Sequence, residues 1–151
     1  MHEPYLLPDD RVAAEARIAE LEQLIQDLGE DFRDAFTQSS ETWRDNSPFE
    51  AVRDKQSMYA AELHQLRTLI RSSTLVAPKK KRGTVGVGSL VMLENGKRYF
   101  IAGDWTQHAG RHHDGTYWVS RHAPVAVAML GKKSGDTLQV ADRSETIEAI
   151  Q

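Results

Sequence analysis

The side chains able to do chemistry gather in a few places along this sequence. The stretch "SSETWRDNSPFE", Ser39 to Glu50, holds Glu41, Trp43, Arg44 and Asp45 with no aliphatic residue to anchor them. Ser47 follows, a hydroxyl that would be a nucleophile only if left free. Its spacing to Glu50, with Pro48 between, is instead a capping box at a helix start. His108, His112, His113 and His122 raise the question of a metal site. However, His112 and His113 are adjacent and would point to opposite sides of a strand. Their context, "TQHAGRHHDG", reads as a polar loop, so an exposed loop or a partner-contact patch is expected there. Cysteine is absent from the chain, which excludes disulfides, thiolate nucleophiles and Cys-based zinc sites together. Gly83, Gly86 and Gly88 lack dinucleotide-binding spacing and are expected at turns or bulges.

The elements that must hold the acidic stretch come before and after it. Ile18, Leu21, Ile25, Leu28 and Phe32 recur at spacings of three and four, the pattern of a coiled-coil seam. Phe49, Val52, Gln56, Tyr59, Leu63, Leu66 and Ile70 repeat it. Paired antiparallel, Ile18 faces Leu66, Leu21 faces Leu63, Ile25 faces Tyr59, Leu28 faces Gln56 and Phe32 faces Val52. The turn then falls near Thr42. At about 1.5 Å per residue, arms of roughly 25–30 residues make a rod about 40 Å long. Trp43 then either folds back onto Phe36 and Phe49 or contacts whatever the tip enters.

The segment "RSSTLVAPKKKRGT" breaks this periodicity and carries Lys79, Lys80, Lys81 and Arg82; it reads as a basic linker, solvated or close to nucleic acid. After it, "VGVGSLVMLE", "NG" and "KRYFIAG" give a hairpin with a two-residue turn signature at Asn95-Gly96. "TYWVS" is a further strand. "APVAVAMLG" is a short helix with Pro124 at its start and Gly131 after its end, and "GDTLQVA" with "ETIEAI" makes a closing strand pair. The expected fold class is therefore α+β. It has an antiparallel coiled-coil hairpin over residues 1–74 with an acidic tip near 41–46, a basic linker over 75–83, and a small antiparallel β domain with one short helix over 84–151.

Composition sets bounds on function. With 151 residues, 40% hydrophobic and 27% charged, the chain has the balance of a folded domain or two rather than of a disordered or membrane protein. The apolar run from Ala123 to Leu130 is too short to span a bilayer. The opening "MHEPYLLPDD" has no secretory pattern, and the lack of Cys fits a reducing cytoplasm. The net charge of −3 conceals an asymmetry: Asp9 to Glu50 carries twelve acids against four bases, and Arg53 to Arg98 ten bases against three acids. An acidic end joined to a basic body suits a partner that carries nucleic acid.

Several stretches resemble the Gre family of bacterial transcript-cleavage factors. "VGVGSLVMLENGKRYFIAGD" and "WVSRHAPVAVAMLGKKSGDTLQV" look like the family's second-domain motifs, and "RDNSPFEAVRDKQ" is similar to its tip segment. The resemblance implies an FKBP-like second domain without isomerase activity that grips RNA polymerase. It also implies a hairpin that enters the secondary channel, and no catalysis by the factor itself. The family's paired tip acids help hold a second Mg²⁺ of the polymerase active centre, an ion that favours carboxylate oxygens. By this resemblance Asp45 falls on the second acid, Asn46 on the family's Asn, and Thr42 on the first acid, with Glu41 adjacent. Arg44 beside Asp45 partly neutralises it. Ser120 and Pro124, with Arg121 between, match the polymerase-contact loop, where Ala123 replaces a serine. The implied partners are RNA polymerase and, indirectly, the RNA 3′ end or DNA. The factor is expected to be a monomer with no cofactor of its own. Two activities remain open, support of cleavage or occupation of the channel without it. A coiled-coil adapter unconnected with polymerase is the alternative of another class. An isomerase is disfavoured, because no aromatic-lined pocket emerges from the pattern.

Overall fold

The computed structural model of the protein describes residues 3–38 and 47–151, apart from the side chains of Phe32, 34–38 and 47–49. Two compact units divide it: Val12–Arg71, and Met1–Arg11 together with Ser72–Gln151. The first eleven residues thus group with the β unit rather than with the hairpin to which the sequence reading assigned them.

The helical unit contains most of α1 (Pro8–Gln38) and α2 (Ser47–Ser72). Both form where strong helix formers alternate with a narrow apolar stripe. Ala14, Leu21 and Leu28, one heptad apart, are buried on α1, and Leu63 and Leu66 are buried on α2. Among the described residues, ion pairs cross between the helices. Arg17 donates from Nε and an NH2 group to Glu62 at 2.6 and 3.0 Å, a two-pronged fork, and Arg67 donates to Glu22 at 2.6 Å. Arg17 and Glu62 each precede a seam residue, Ile18 and Leu63, whereas Glu22 and Arg67 each follow one, Leu21 and Leu66. The pairs therefore flank the seam on its two sides, as an antiparallel register with Leu21 opposite Leu63 requires. One seam member departs from expectation. Gln56 is exposed, because a buried amide without a partner costs more than leaving that position at the edge.

The β unit is a six-stranded sheet in the order β3-β4-β2-β1-β6-β5. Its strands are β1 (Leu90–Leu93), β2 (Arg98–Ile101), β3 (Arg111–His113), β4 (Thr116–Val119), β5 (Thr137–Val140) and β6 (Arg143–Ile150), and the short helix α3 (Pro124–Met129) lies between β4 and β5 in the chain. Alternation sends Val91, Leu93, Ile101, Val119, Leu138 and Ile147 into one core, closed by Val85, Ala126 and Met129. The sheet differs from the wholly antiparallel one expected, since β2 and β4 run parallel. The nine residues after β2 carry the chain past the sheet edge before the β3–β4 hairpin returns it.

Turn chemistry also differs from the sequence reading. Leu93 N bonds Lys97 O at 2.9 Å and Gly96 N bonds Leu93 O at 3.0 Å, so the Asn95-Gly96 hairpin encloses three residues with Gly96 at φ 89°. This is a turn followed by a left-handed glycine, not a two-residue turn. Two-residue turns lie elsewhere, one of them Ala141-Asp142 between β5 and β6. Asp114 and Gly115, at φ 52° and 75°, close the His113–Thr116 pair. The presumed polar loop there is an edge strand and its turn.

An N-terminal strap completes this unit. Tyr5 and Leu6 are buried. Tyr5 N donates to Asp104 Oδ2 and Asp104 N to Tyr5 O, both at 2.7 Å, while Thr74 N bonds Pro4 O at 2.8 Å. Gly103 permits this approach, since a Cβ there would sit 2.1 Å from Tyr5 O. Asp10, 1% exposed, accepts from Thr106 Oγ1 and Gln107 N at 3.1 Å and so seats the first turn of α1 on the loop after β2.

The Arg17–Glu62 fork sets a pH dependence. The hydrogen bond from Arg17 holds the Glu62 carboxyl below its ordinary value of 4.5, against an opposing contribution from burial. A lowered folded value means that the stabilisation is present above the ordinary value and is lost as pH falls through the folded one. Because Glu62 is 41% exposed, Glu62→Gln is expected to cost only about 0.3–1 kcal/mol at neutral pH. Urea midpoints of the two proteins should converge when measured well below pH 4.5; a penalty unchanged with pH would show that the fork contributes nothing as an ion pair.

Candidate functional site

The tip residues Glu41, Thr42, Trp43, Arg44, Asp45 and Asn46 lie outside the described residues. The other sequence-identified positions lie in the β unit, and three local arrangements emerge there.

The first is the loop between β4 and α3, which contains Ser120, Arg121 and Pro124. Its anchor is Asp104, a residue not singled out from sequence. Besides receiving Tyr5 N, the Asp104 carboxylate bonds His122 Nε2 through Oδ1 and lies 3.8 Å from the Arg121 guanidinium. Arg121 N adds a bond to Gly103 O at 3.0 Å. Ser120 holds the turn from its other side, with its Oγ accepting from His122 N at 3.3 Å and its carbonyl from Ala123 N at 3.0 Å. The turn therefore delivers Pro124 to the first position of α3, where its missing N–H costs nothing. Ala123 supplies no side-chain cap, as the absent serine hydroxyl dictates. Pro124 is exposed, and so are Val127 and Leu130, each three residues on. This apolar row was hidden in the sequence because "PVAVAML" is apolar on every face, so spacing alone could not tell core from surface.

The second arrangement is the basic segment. Lys79, Lys80, Lys81 and Arg82 are exposed, yet they do not form a free linker. Thr84 N and Oγ1 both bond Lys81 O, at 3.1 and 2.6 Å, and Lys80 Nζ bonds the buried Ser89 Oγ at 2.8 Å. Val85 N bonds Lys132 O and Gly131 N bonds Val85 O, both at 2.9 Å. The segment so fixed forms one wall of a cleft lined also by Arg121 and Leu130.

The third is a histidine and aromatic cluster at the β3 edge. His112 packs on Tyr117 with ring centroids 3.7 Å apart, and His113 stacks on His108 at 4.1 Å, with His108 and His113 edge-on to Trp118. The two adjacent histidines do point to opposite faces. Parallel stacked rings aim their nitrogens side by side rather than at a common point, and among the described residues no group of three metal-ligating side chains occurs.

Comparison with known proteins bears on these arrangements. No family model matches the chain. It is 29% identical over 104 residues to the transcription elongation factor GreA of Streptococcus sanguinis, spanning 64% of this chain and 61% of that protein. It is 26% identical over 125 residues to the GreA of Mesomycoplasma hyopneumoniae strain 7448, spanning 80% and 77%. The chain is related to the Gre transcription elongation factors. Against the Gre relatives that lead the comparison, the match spans a little over three-fifths of their length. Among solved structures, GreA factor homolog 1 (Gfh1) of Thermus thermophilus covers 99% of both chains at 19% identity and a TM-score of 0.47. Among the described residues, no helix is long and apolar enough to cross a membrane.

Asp104 is expected to position both the strap and the Ser120–Pro124 loop. Asp104 is partly buried, and removing such an acceptor strands its donors, at about 1–3 kcal/mol. Asp104→Ala should lower the stability of the β unit by that amount and speed amide exchange at Tyr5 and Arg121 together. Faster exchange at Tyr5 alone would show that the loop is held by other groups.

Proposed function

We propose that this chain is an RNA polymerase-binding transcription elongation factor that works from the cytoplasm as an accessory protein, with any RNA cleavage carried out by the polymerase. The observation that carries this reading is its relation to GreA proteins. The hairpin of α1 and α2, cross-tied by Arg17–Glu62 and Glu22–Arg67, supports it. In this reading the connection between the helices enters the secondary channel. The loop of Ser120, Arg121 and Pro124, with the apolar row of Val127 and Leu130 beside it, holds the polymerase. The contrast between an acidic hairpin end and a basic segment at Lys79–Arg82 favours a partner carrying nucleic acid.

Within that role, we take the tip to modulate the active centre without promoting cleavage. Thr42 stands where the Gre pattern has its first acid, leaving Asp45 and the neighbouring Glu41 as the carboxylates that could approach the polymerase's Mg²⁺. Asp45 is one methylene shorter than the glutamate expected there, and Arg44 lies next to it in the chain. Each feature weakens metal support relative to an unpaired pair of long acids.

A stalled, backtracked elongation complex incubated with the purified protein tests this. The expected result is slowed or altered elongation with no shortening of the RNA, lost when Trp43 and Asp45 are both replaced by Ala. RNA shortening abolished by Asp45→Ala would replace modulation with assistance of cleavage. If the protein neither alters transcription nor co-purifies with polymerase, an adapter acting on another partner becomes the better account.

A further inference from the structure

The cleft beside the basic segment has a volume of about 610 Å³, within the range of roughly 300–1,000 Å³ usual for small-molecule sites. Its charge is one-sided. Lys79, Lys80, Lys81 and Arg121 line it, and neither Asp nor Glu does. Among the described residues Lys79 and Lys81 have no carboxylate partner. Arg121 lies 3.8 Å from an Asp104 oxygen that already accepts Tyr5 N.

This wall is built rather than merely charged. Ser89, fully buried, accepts from Lys80 Nζ at 2.8 Å and from Gly86 N at 3.0 Å. The Lys80 stem lies over Gly86, where any Cβ would come within 2.5 Å of Lys80 Cδ. The ammonium of Lys80 is therefore held in place before any ligand arrives, which lowers the ordering cost of binding. Val87 and Leu130 in the same lining supply apolar surface.

Among the described residues Lys80 likewise has no carboxylate partner, and the one acid beside Arg121, Asp104, is shared with Tyr5 N and His122. The four cations therefore repel one another, and an anion entering the cleft relieves that repulsion. A peptide carboxylate brings one charge per residue, spaced along an extended chain. Phosphate groups bring more charge in less volume, and a sugar or base attached to them suits the apolar wall. We propose that this cleft binds the phosphates of a nucleotide, either a free nucleoside polyphosphate or a unit of a nucleic-acid strand, through Lys79, Lys80, Lys81 and Arg121. Binding here requires only the folded β unit, so the inference stands or falls apart from the polymerase reading.

The test titrates ATP, and separately a short single-stranded RNA, into the full-length protein at low salt. Calorimetry gives affinity, and backbone amide spectra locate the site. Perturbations should centre on Lys79 to Val87 and on Arg121, and affinity should fall as salt rises. The double variant Lys79→Gln, Lys81→Gln changes two exposed side chains, so its thermal midpoint should match the parent's. Its nucleotide affinity should drop about tenfold or more, given two lost charge-assisted contacts. ATP binding at least as tight as RNA assigns the ligand as a free nucleotide; RNA binding that tightens with length assigns it as a strand. Absence of binding by both, perturbations centred elsewhere, or a double variant that binds like the parent overturns the proposal.

Discussion

A backbone meeting nearly one hundred residues apart in the chain underlies the β unit. Tyr5 and Asp104 exchange two hydrogen bonds, and they come close enough to do so only because residue 103 has no side chain. From that contact the strap gains its burial, through Tyr5 and Leu6, and the first turn of α1 gains its seat, through Asp10. The same carboxylate then reaches His122 and Arg121, so the loop ahead of α3 shares its anchor with the strap. One glycine and one aspartate thus connect the N-terminus, the end of β2 and the candidate partner-binding loop.

The helical unit rests on a simpler constraint. A narrow apolar seam leaves most of each helix in water, so charge on the flanks decides which alignment is favoured. Arg17 with Glu62 and Glu22 with Arg67 occupy matching places on either side of that seam. Each pair is weak by itself, since both partners are substantially exposed. Their placement matters more than their strength, because a slip of one heptad would separate both pairs at once.

Charge has different consequences in the two units. In the hairpin, acids and bases neutralise one another across the seam. In the β unit, among the described residues, Lys79 and Lys81 have no acid beside them and lie with Arg121, whose neighbour Asp104 is shared, while Lys80 is tied down through Ser89. A basic run in a flexible linker would attract polyanions diffusely. Folded onto a sheet and set around a cavity, the same residues can discriminate by size and shape.

Much of this organisation was legible in the sequence by itself. Heptad spacing located both helices and their mutual register, because a seam repeats identically turn after turn and its partners can be counted. Alternation located most strands and the closing β5–β6 pair. The chemistry of the connection between the helices, with Thr42 in place of an acid, is likewise a matter of sequence. What only the tertiary structure decided are the contacts that no local period encodes. These include the parallel pairing of β2 with β4, the turn at Asp114-Gly115, and the return of the strap to Gly103. They also include the anchoring of Arg121 and His122 by Asp104, and the conversion of a presumed linker into a cleft wall. Apart from the local turn at Asp114-Gly115, each depends on residues distant in the chain meeting at one point, and a pattern read within a dozen residues carries no information about that meeting.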